Sequence, residues 1–481
     1  MITNTAHGED QSLLVTFAGN AMRSLCREDP ALAALLEQEY WRQQTTLALV
    51  ASCSPTHPSV LAGEGTFASN VTAEGYPGAR FHAGCAFVDR FEQLAIDRAK
   101  LLFRAEYANV QPHSASTANQ IVMGCLLRPG DTLLGLSLDS GGHLSHGSRA
   151  NISGQFFNGV AYGLDASGRI DYDAVESLAR EHRPKLIVCG TTAYPRLIDW
   201  ARFRAIADAV DAYLLADISH IAGLVATGEH PSPIDWAHVT TTCTHKQLYG
   251  PRGGLILMGR DRLCPGPNGN GNLEELMQKG VFPFMQGAPI VNMIVAKARA
   301  LAHAGTPAFA QLARRIVVLA QALAEALSAR GVRIVSGGTD NHIVLADVLG
   351  TFGVTGIVAQ RALEECGVIV NKNRITGDTK PVTVGSGIRI GTNSLAARLF
   401  TTDEMPGCAD LIVRILSSVE AQGDRAYVLD AVARMGFVAE VSALCARFPL
   451  PGYGPDLRAM GNGVPAAGGH PGELKLEALT V

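Results

Sequence analysis

Two residues stand out by type and spacing. Asp217 lies in Ala216-Asp217-Ile218-Ser219-His220, and Lys246, in Thr244-His245-Lys246, follows it by 29 residues and precedes Gly250-Pro251-Arg252-Gly253-Gly254. Each closes an apolar or β-branched run, so an acid ends one strand and a lysine ends the next. That arrangement suits a pyridoxal-phosphate site. The lysine amine attaches to the cofactor aldehyde, and the carboxylate pairs with the pyridinium nitrogen so that the ring can accept electrons. Taken alone, a lysine after Thr-His is more often a solvated loop residue, so the rest of the chain has to decide.

The elements that would position this pair are α/β in character. Apolar runs at 132–138, 186–189, 212–216, 238–244 and 254–258 predict buried strands, and helical patterns at 172–180 and 201–209 separate several of them. Buried strands alternating with helices predict a mostly parallel sheet with right-handed crossovers, whose ligands gather at the carboxyl ends of the strands. Asp217, His220, His245 and Lys246 fall at such ends. The spacing predicts an N-terminal arm over 1–65, with a helix at 30–47, and a large domain over 66–310. A smaller α+β domain over 311–446 begins with a long helix at 307–330 and has strands near 332–335 and 342–348; a Pro/Gly-rich tail follows over 447–481.

Composition sets the bounds. The chain has 481 residues, 47% of them hydrophobic and 17% charged, enough for more than one buried core. Net charge is −4 without a basic run, which argues against nucleic acid as the partner. The start reads MITNTAHGEDQSLLVTF, without the basic and apolar regions of a secretory signal, and no stretch reaches the ~20 apolar residues of a membrane span. Ten scattered cysteines without a CxxC pair point to a reducing, cytoplasmic setting. His143 and His146 have metal-like spacing but no third ligand, so no metal site is expected, and the glycosylation-like Asn70 and Asn151 mean nothing without secretion.

Longer motifs carry a resemblance. Ala73-Glu74-Gly75-Tyr76-Pro77-Gly78, the run EQLAIDRAK from Glu92 to Lys100, Tyr107 to Ser114, Gly141-Gly142-His143-Leu144, Ser336 to His342, Asn371-Lys372-Asn373 and Ser386-Gly387-Ile388-Arg389-Ile390-Gly391-Thr392 occur in one order between about 45 and 420. In these segments the chain resembles the serine hydroxymethyltransferase family. The resemblance implies a fold-type I pyridoxal-phosphate transferase, aspartate aminotransferase-like, working as a homodimer or tetramer with shared sites on a small amino acid and on tetrahydrofolate.

It also implies roles. Lys246 would hold the cofactor, Asp217 its ring nitrogen, and His143 its ring face, with Thr192, His220 and His245 alongside. The hydroxyls and free N–H groups of Ser114, Ala115 and Ser116, at a predicted helix start, would cradle the phosphate; an N-cap series is the commoner use of such residues. Gln286-Gly287 resembles a loop reaching the phosphate from the neighbouring subunit, although Phe284-Met285 and Ala288 replace family glycines. Arg389 would grip the substrate carboxylate through a bidentate fork, with Ser52 and His220 beside it. After Ser52 this chain has Cys53-Ser54 where the family has Glu-Asn. Glu74 would be the acid/base, its carboxyl raised by desolvation in the partner's site. Leu138, Gly142, His143 and Leu144 would meet the folate.

One departure bears on specificity. The family reads Tyr before Ala-Glu-Gly-Tyr-Pro-Gly, whereas this chain reads Thr72, with Phe81-His82 for Tyr-Tyr and Cys243 for Thr. A threonine in place of a phenol leaves room at the substrate α-carbon. Such a change resembles the α-methylserine hydroxymethyltransferase branch, which implies 2-methylserine and tetrahydrofolate giving D-alanine and methylenetetrahydrofolate. Ordinary serine/glycine hydroxymethyl transfer is the nearest alternative. A folate-independent aldolase or transaldolase is another, because 380–384 lacks the family's Ser-Pro-Phe; a cofactor-free or RNA-binding role is disfavoured by intact Lys246, Asp217 and Arg389.

Overall fold

A computed structural model describes residues 12–454, Asn270 excepted. Seven strands form the central sheet: β1 (Tyr107–Asn109), β2 (Thr132–Leu136), β3 (Asn158–Tyr162), β4 (Leu186–Gly190), β5 (Tyr213–Asp217), β6 (Val239–Cys243) and β7 (Gly254–Met258). Their spatial order is β1-β7-β6-β5-β4-β2-β3. The pairs from β6 through β3 are parallel, while β7 runs antiparallel to both β1 and β6. The sheet is therefore mostly parallel, as expected of a fold-type I pyridoxal-phosphate transferase. Its period-2 alternation explains why the runs read as continuously apolar. Leu134, Leu136, Ile187, Cys189, Leu214 and Ala216 enter one core, and Leu133, Leu186, Val188, Leu215 and Val239 another, so both faces are covered.

The arm consists of α1 (Leu13–Glu28) and α2 (Pro30–Thr45), joined at Asp29, whose side chain caps α2 by accepting from Leu32 N–H ahead of Pro30. Large domain helices include α3 (Ala86–Phe103), α4 (Ala115–Leu126) and α5 (Val291–Ala304). The long α6 (Pro307–Ser328) leads to an antiparallel sheet of β8 (Arg333–Ile334), β9 (Ile343–Asp347), β10 (Asn371–Asn373) and β11 (Gly387–Gly391), in the order β8-β9-β11-β10.

The arm does not end free. Leu47–Ala48 pairs in parallel with Val368–Ile369, Gly391 N–H donates to Leu49 O at 2.8 Å, and Asn393 Nδ2 donates to Ala51 O at 3.3 Å. Ser52 is thereby carried to the end of β11. Past α7 (Ala431–Arg447) the chain continues without helix or strand to Gly454, and the remainder of the expected 447–481 tail, from 455, lies outside the described residues. Among the described residues no helix is long and apolar enough to cross a membrane, and no group of three or more His, Cys, Asp or Glu could hold a metal.

Candidate active site

Asp217 ends β5 and Lys246 lies three residues past β6, the parallel neighbour of β5. Asp217 is buried, and both carboxylate oxygens are engaged. Oδ1 accepts from Ser219 N–H at 3.0 Å and Ser219 Oγ at 2.5 Å. Oδ2 accepts from Asn119 Nδ2 at 2.8 Å and meets His146 Nε2 at 3.1 Å. Burial alone would raise this carboxyl, but His146, Ser219 and Asn119 outweigh it and hold it well below the usual range. The acid stays ionised, as a partner for a protonated ring nitrogen must. Asn119 is itself held by Thr241 Oγ1, which donates to its Oδ1 at 2.6 Å, so β6 and α4 together fix the acid.

Three of these supports lay hidden in plain segments. His146 is half of a metal-like pair, Asn119 lies three residues past the expected phosphate residues, and Ser219 follows the acid by two; only the fold brings them onto one carboxylate. His143 accepts Ser145 N–H at 3.2 Å on Nδ1, which leaves the ring proton on Nε2, and burial lowers it to about 4. Burial likewise brings His245 to about 4 and His220 well below its ordinary value, with Lys246 acting in the same direction on all three. Neutral imidazoles therefore surround the lysine.

Ser114 caps α4, its Oγ accepting from Thr117 N–H at 3.0 Å. The first amides of that helix have no intrahelical carbonyl partner, and Ser114 takes that of Thr117. Thr192 Oγ1 donates to Gly141 O and Gly142 O, both at 3.1 Å, holding the loop of His143, while Leu138 and Leu144 on either side of it are exposed. Arg389, on β11, donates through Nη1 to Thr192 O at 2.5 Å and leaves a buried Nε without a partner. Burial lowers this guanidinium to about 10. A half-buried cation whose Nε is buried without a partner, and whose one hydrogen bond goes to a carbonyl, wants an anion, and His220 Nδ1 and His245 Nδ1 are unpartnered as well. The residues present thus fit a phosphorylated pyridine cofactor and a carboxylate substrate.

Glu74, Thr72 and His82 occupy a different place. Thr72 and His82 are exposed and Glu74 is half-buried, in contrast to Asp217 and His220. Glu74 instead meets the Gln286-Gly287 loop, where a Cβ on Gly287 would lie 3.3 Å from Glu74 Oε1. Gln286 Oε1 accepts from His113 N–H at 3.1 Å and its Nε2 donates to Gln111 O at 3.2 Å, so this loop is held against the 111–113 backbone despite Phe284-Met285.

The turn bearing Glu74 is clamped. Arg80 Nη1 donates to the carbonyls on both sides, Ala73 O at 3.1 Å and Gly75 O at 2.8 Å, while Nε reaches Asp89 Oδ1 at 2.8 Å and Nη2 reaches Glu92 Oε2 at 2.6 Å. Gln111 Nε2 donates to Gly75 O at 2.9 Å and Glu92 Oε1 at 2.8 Å. Gly75 takes φ +96°, and a Cβ there would strike Ala79 O at 2.3 Å, so the position must be glycine.

Comparison with known proteins gives the family. The serine hydroxymethyltransferase family profile matches residues 25–412. The chain is 48% identical over 438 residues to a serine hydroxymethyltransferase of Synechococcus sp., covering 89% of this chain and 96% of that one. It is 47% identical over 425 residues to one of Nitrosococcus oceani, covering 88% and 97%. Over 424 residues it is 47% identical to one of Xanthomonas oryzae pv. oryzae, again covering 88% and 97%.

Proposed function

Since the chain belongs to the serine hydroxymethyltransferase family, which works with pyridoxal phosphate and takes tetrahydrofolate as co-substrate, we propose that it moves the hydroxymethyl group of L-serine to tetrahydrofolate, leaving glycine, reversibly. The observation that carries this reading is the half-buried Arg389, whose buried Nε has no partner and whose charge acts on His220 together with that of Lys246. The cofactor supplies an electron sink for the bond to the hydroxymethyl carbon when bound. The protein's part is to place and protonate. Lys246 anchors the cofactor, and Asp217, kept ionised by its donors, holds the ring nitrogen. Ser114, Ala115 and Ser116 take the phosphate. Arg389, with Ser52 and His220, takes the substrate carboxylate, and Glu74 moves a proton at the hydroxymethyl oxygen. Leu138, Gly142, His143 and Leu144 line the folate side.

Glu74 and Gly287 adjoin each other and are proposed to serve the neighbouring subunit's site, which makes a homodimer the smallest working unit. Support comes from the arm, where Leu13, Leu14, Val15, Leu35 and Leu36 are all at least half exposed in the single chain.

A second reading, 2-methylserine giving D-alanine, is favoured by Thr72 at the family's tyrosine position. One assay decides: turnover of L-serine against 2-methylserine, each with and without tetrahydrofolate, with glycine and D-alanine quantified. Preference for serine with folate supports the first reading and preference for 2-methylserine supports the second. Equal rates without folate would sink both in favour of an aldolase.

A further inference from the structure

Lys297 has no part in the chemistry proposed so far, yet it is 2% exposed on α5. Its Nζ donates to three backbone carbonyls, Val110 O at 2.6 Å, Pro112 O at 3.0 Å and Gly254 O at 3.0 Å. These oxygens lie where the antiparallel β1–β7 ladder ends. Its last rung is the bond from Gly254 N–H to Pro112 O at 2.8 Å, and beyond it the two chains part.

One chain runs from Pro112 through His113 to the Ser114 cap. The other runs back from Gly254 into the loop of Lys246, whose neck is closed by Thr244 N–H to Gly253 O at 3.1 Å and Thr244 Oγ1 to Pro251 O at 2.5 Å. The two segments also touch directly, for a Cβ on Gly254 would lie 2.4 Å from Ser114 O. Gly253 leaves space for the lysine: a Cβ there would come within 2.2 Å of Lys297 Cε.

Three converging carbonyl dipoles repel one another unless a cation sits among them. Burial lowers the Lys297 amine to about 7, against the pull of Glu92; as an ammonium it carries three hydrogens, one for each oxygen, whereas a neutral amine carries only two. Without it, each of the three carbonyls loses a donor, Pro112 O keeping only Gly254 N–H, and the loops leaving the fork lose the point that sets their separation. We propose that Lys297 is a positioning residue for the cofactor, whose ammonium fixes the phosphate cradle at Ser114–Ser116 relative to Lys246. The phosphate and the reactive end of one rigid cofactor are then received at matched spacing. This rests on reading Ser114–Ser116 as the phosphate site.

The test uses Lys297→Met, Lys297→Gln, Ser114→Ala and the Lys297→Met/Ser114→Ala double variant of the full chain. Apoprotein is titrated with pyridoxal phosphate by absorbance, and amide hydrogen exchange is followed in the apoprotein. Lys297→Met is expected to weaken cofactor binding by about tenfold or more, and Lys297→Gln, which keeps two donors, by less. Exchange should quicken in 110–117 and 244–254 and nowhere else. Ser114→Ala should weaken binding without that local change, and the double variant should lose less than the product of the single losses. If Lys297→Met binds like the parent while Ser114→Ala does not, the proposal falls and the cradle stands. If Ser114→Ala binds like the parent, the cradle reading falls and takes the proposal with it. Exchange that quickens throughout in both lysine variants would make Lys297 a general structural residue and would also overturn it.

Discussion

Replacing Arg80 by methionine should cost this protein a large and pH-dependent share of its stability. The Arg80 side chain is 4% exposed and that of Glu92 1% exposed, so the variant leaves a carboxylate buried with only Gln111 as donor. Asp89 is 28% exposed and can turn to water, so its loss counts for little. Removing one partner of a buried pair costs about 3–5 kcal/mol. Adding Glu92→Gln removes the stranded charge, and the remaining deficit should fall to about 1–2 kcal/mol, that of the Ala73 and Gly75 carbonyls.

Burial already raises the Glu92 carboxyl against the pull of Arg80 and Gln111, and without Arg80 it rises further. A folded-state value above the unfolded one means that the native protein holds the proton more tightly. The variant's stability is therefore highest below the unfolded value and drops as pH climbs through the folded one. Urea unfolding of the cofactor-loaded protein at about pH 5.5 and about pH 8 should show the larger deficit at the higher pH. A loss under about 1 kcal/mol at about pH 8, or no recovery on adding Glu92→Gln, would refute the reading of this network as a buried charge pair.

Three further outcomes are expected. Lys246→Ala and Glu74→Ala should each abolish turnover, and mixing the two under conditions that exchange subunits should restore activity from the mixed pairs; no recovery would place Glu74 in its own chain's site. Arg389→Lys should raise the amino acid KM by about tenfold or more with cofactor absorbance retained, since a point charge cannot replace a planar fork; an unchanged KM would move the carboxylate elsewhere. Thr72→Tyr should shift the kcat/KM ratio towards L-serine over 2-methylserine by about tenfold or more, the cost of crowding one methyl group; an unmoved ratio would remove Thr72 from the specificity argument.

The strands that carry chemistry were legible because both their faces are buried. The expected runs at 132–138, 186–189, 212–216, 238–244 and 254–258 each overlie a strand of the central sheet, within two residues at either end. The edge strands were not. Tyr107–Asn109 is three residues long, and Asn158–Tyr162 is largely exposed, so neither makes an apolar run. The antiparallel course of β7 was equally silent, since hydrophobicity carries no direction. Asp217, Lys246 and Arg389 could be named as candidates from their motifs, and the resemblance supplied most of the other candidates. What the motifs could not convey was support through backbone carbonyls. Arg80 and Lys297 act on main-chain oxygens, which every residue possesses, so no side-chain pattern marks their targets.

The arm's docking on the second sheet has a consequence for the order in which the protein assembles. Apart from Gly287, the proposed cofactor residues, Ser114 to Lys246, belong to one stretch of chain and one sheet. The proposed carboxylate pocket instead needs Ser52 from the arm and Arg389 from the small domain, and the bond from Asn393 to Ala51 spans 342 positions. Closing so long a span costs more chain entropy than closing any loop within the sheet, and contacts of that range form late. A refolding chain should gain its yellow cofactor band before it gains turnover. Early intermediates would then hold the cofactor without selecting what it acts upon.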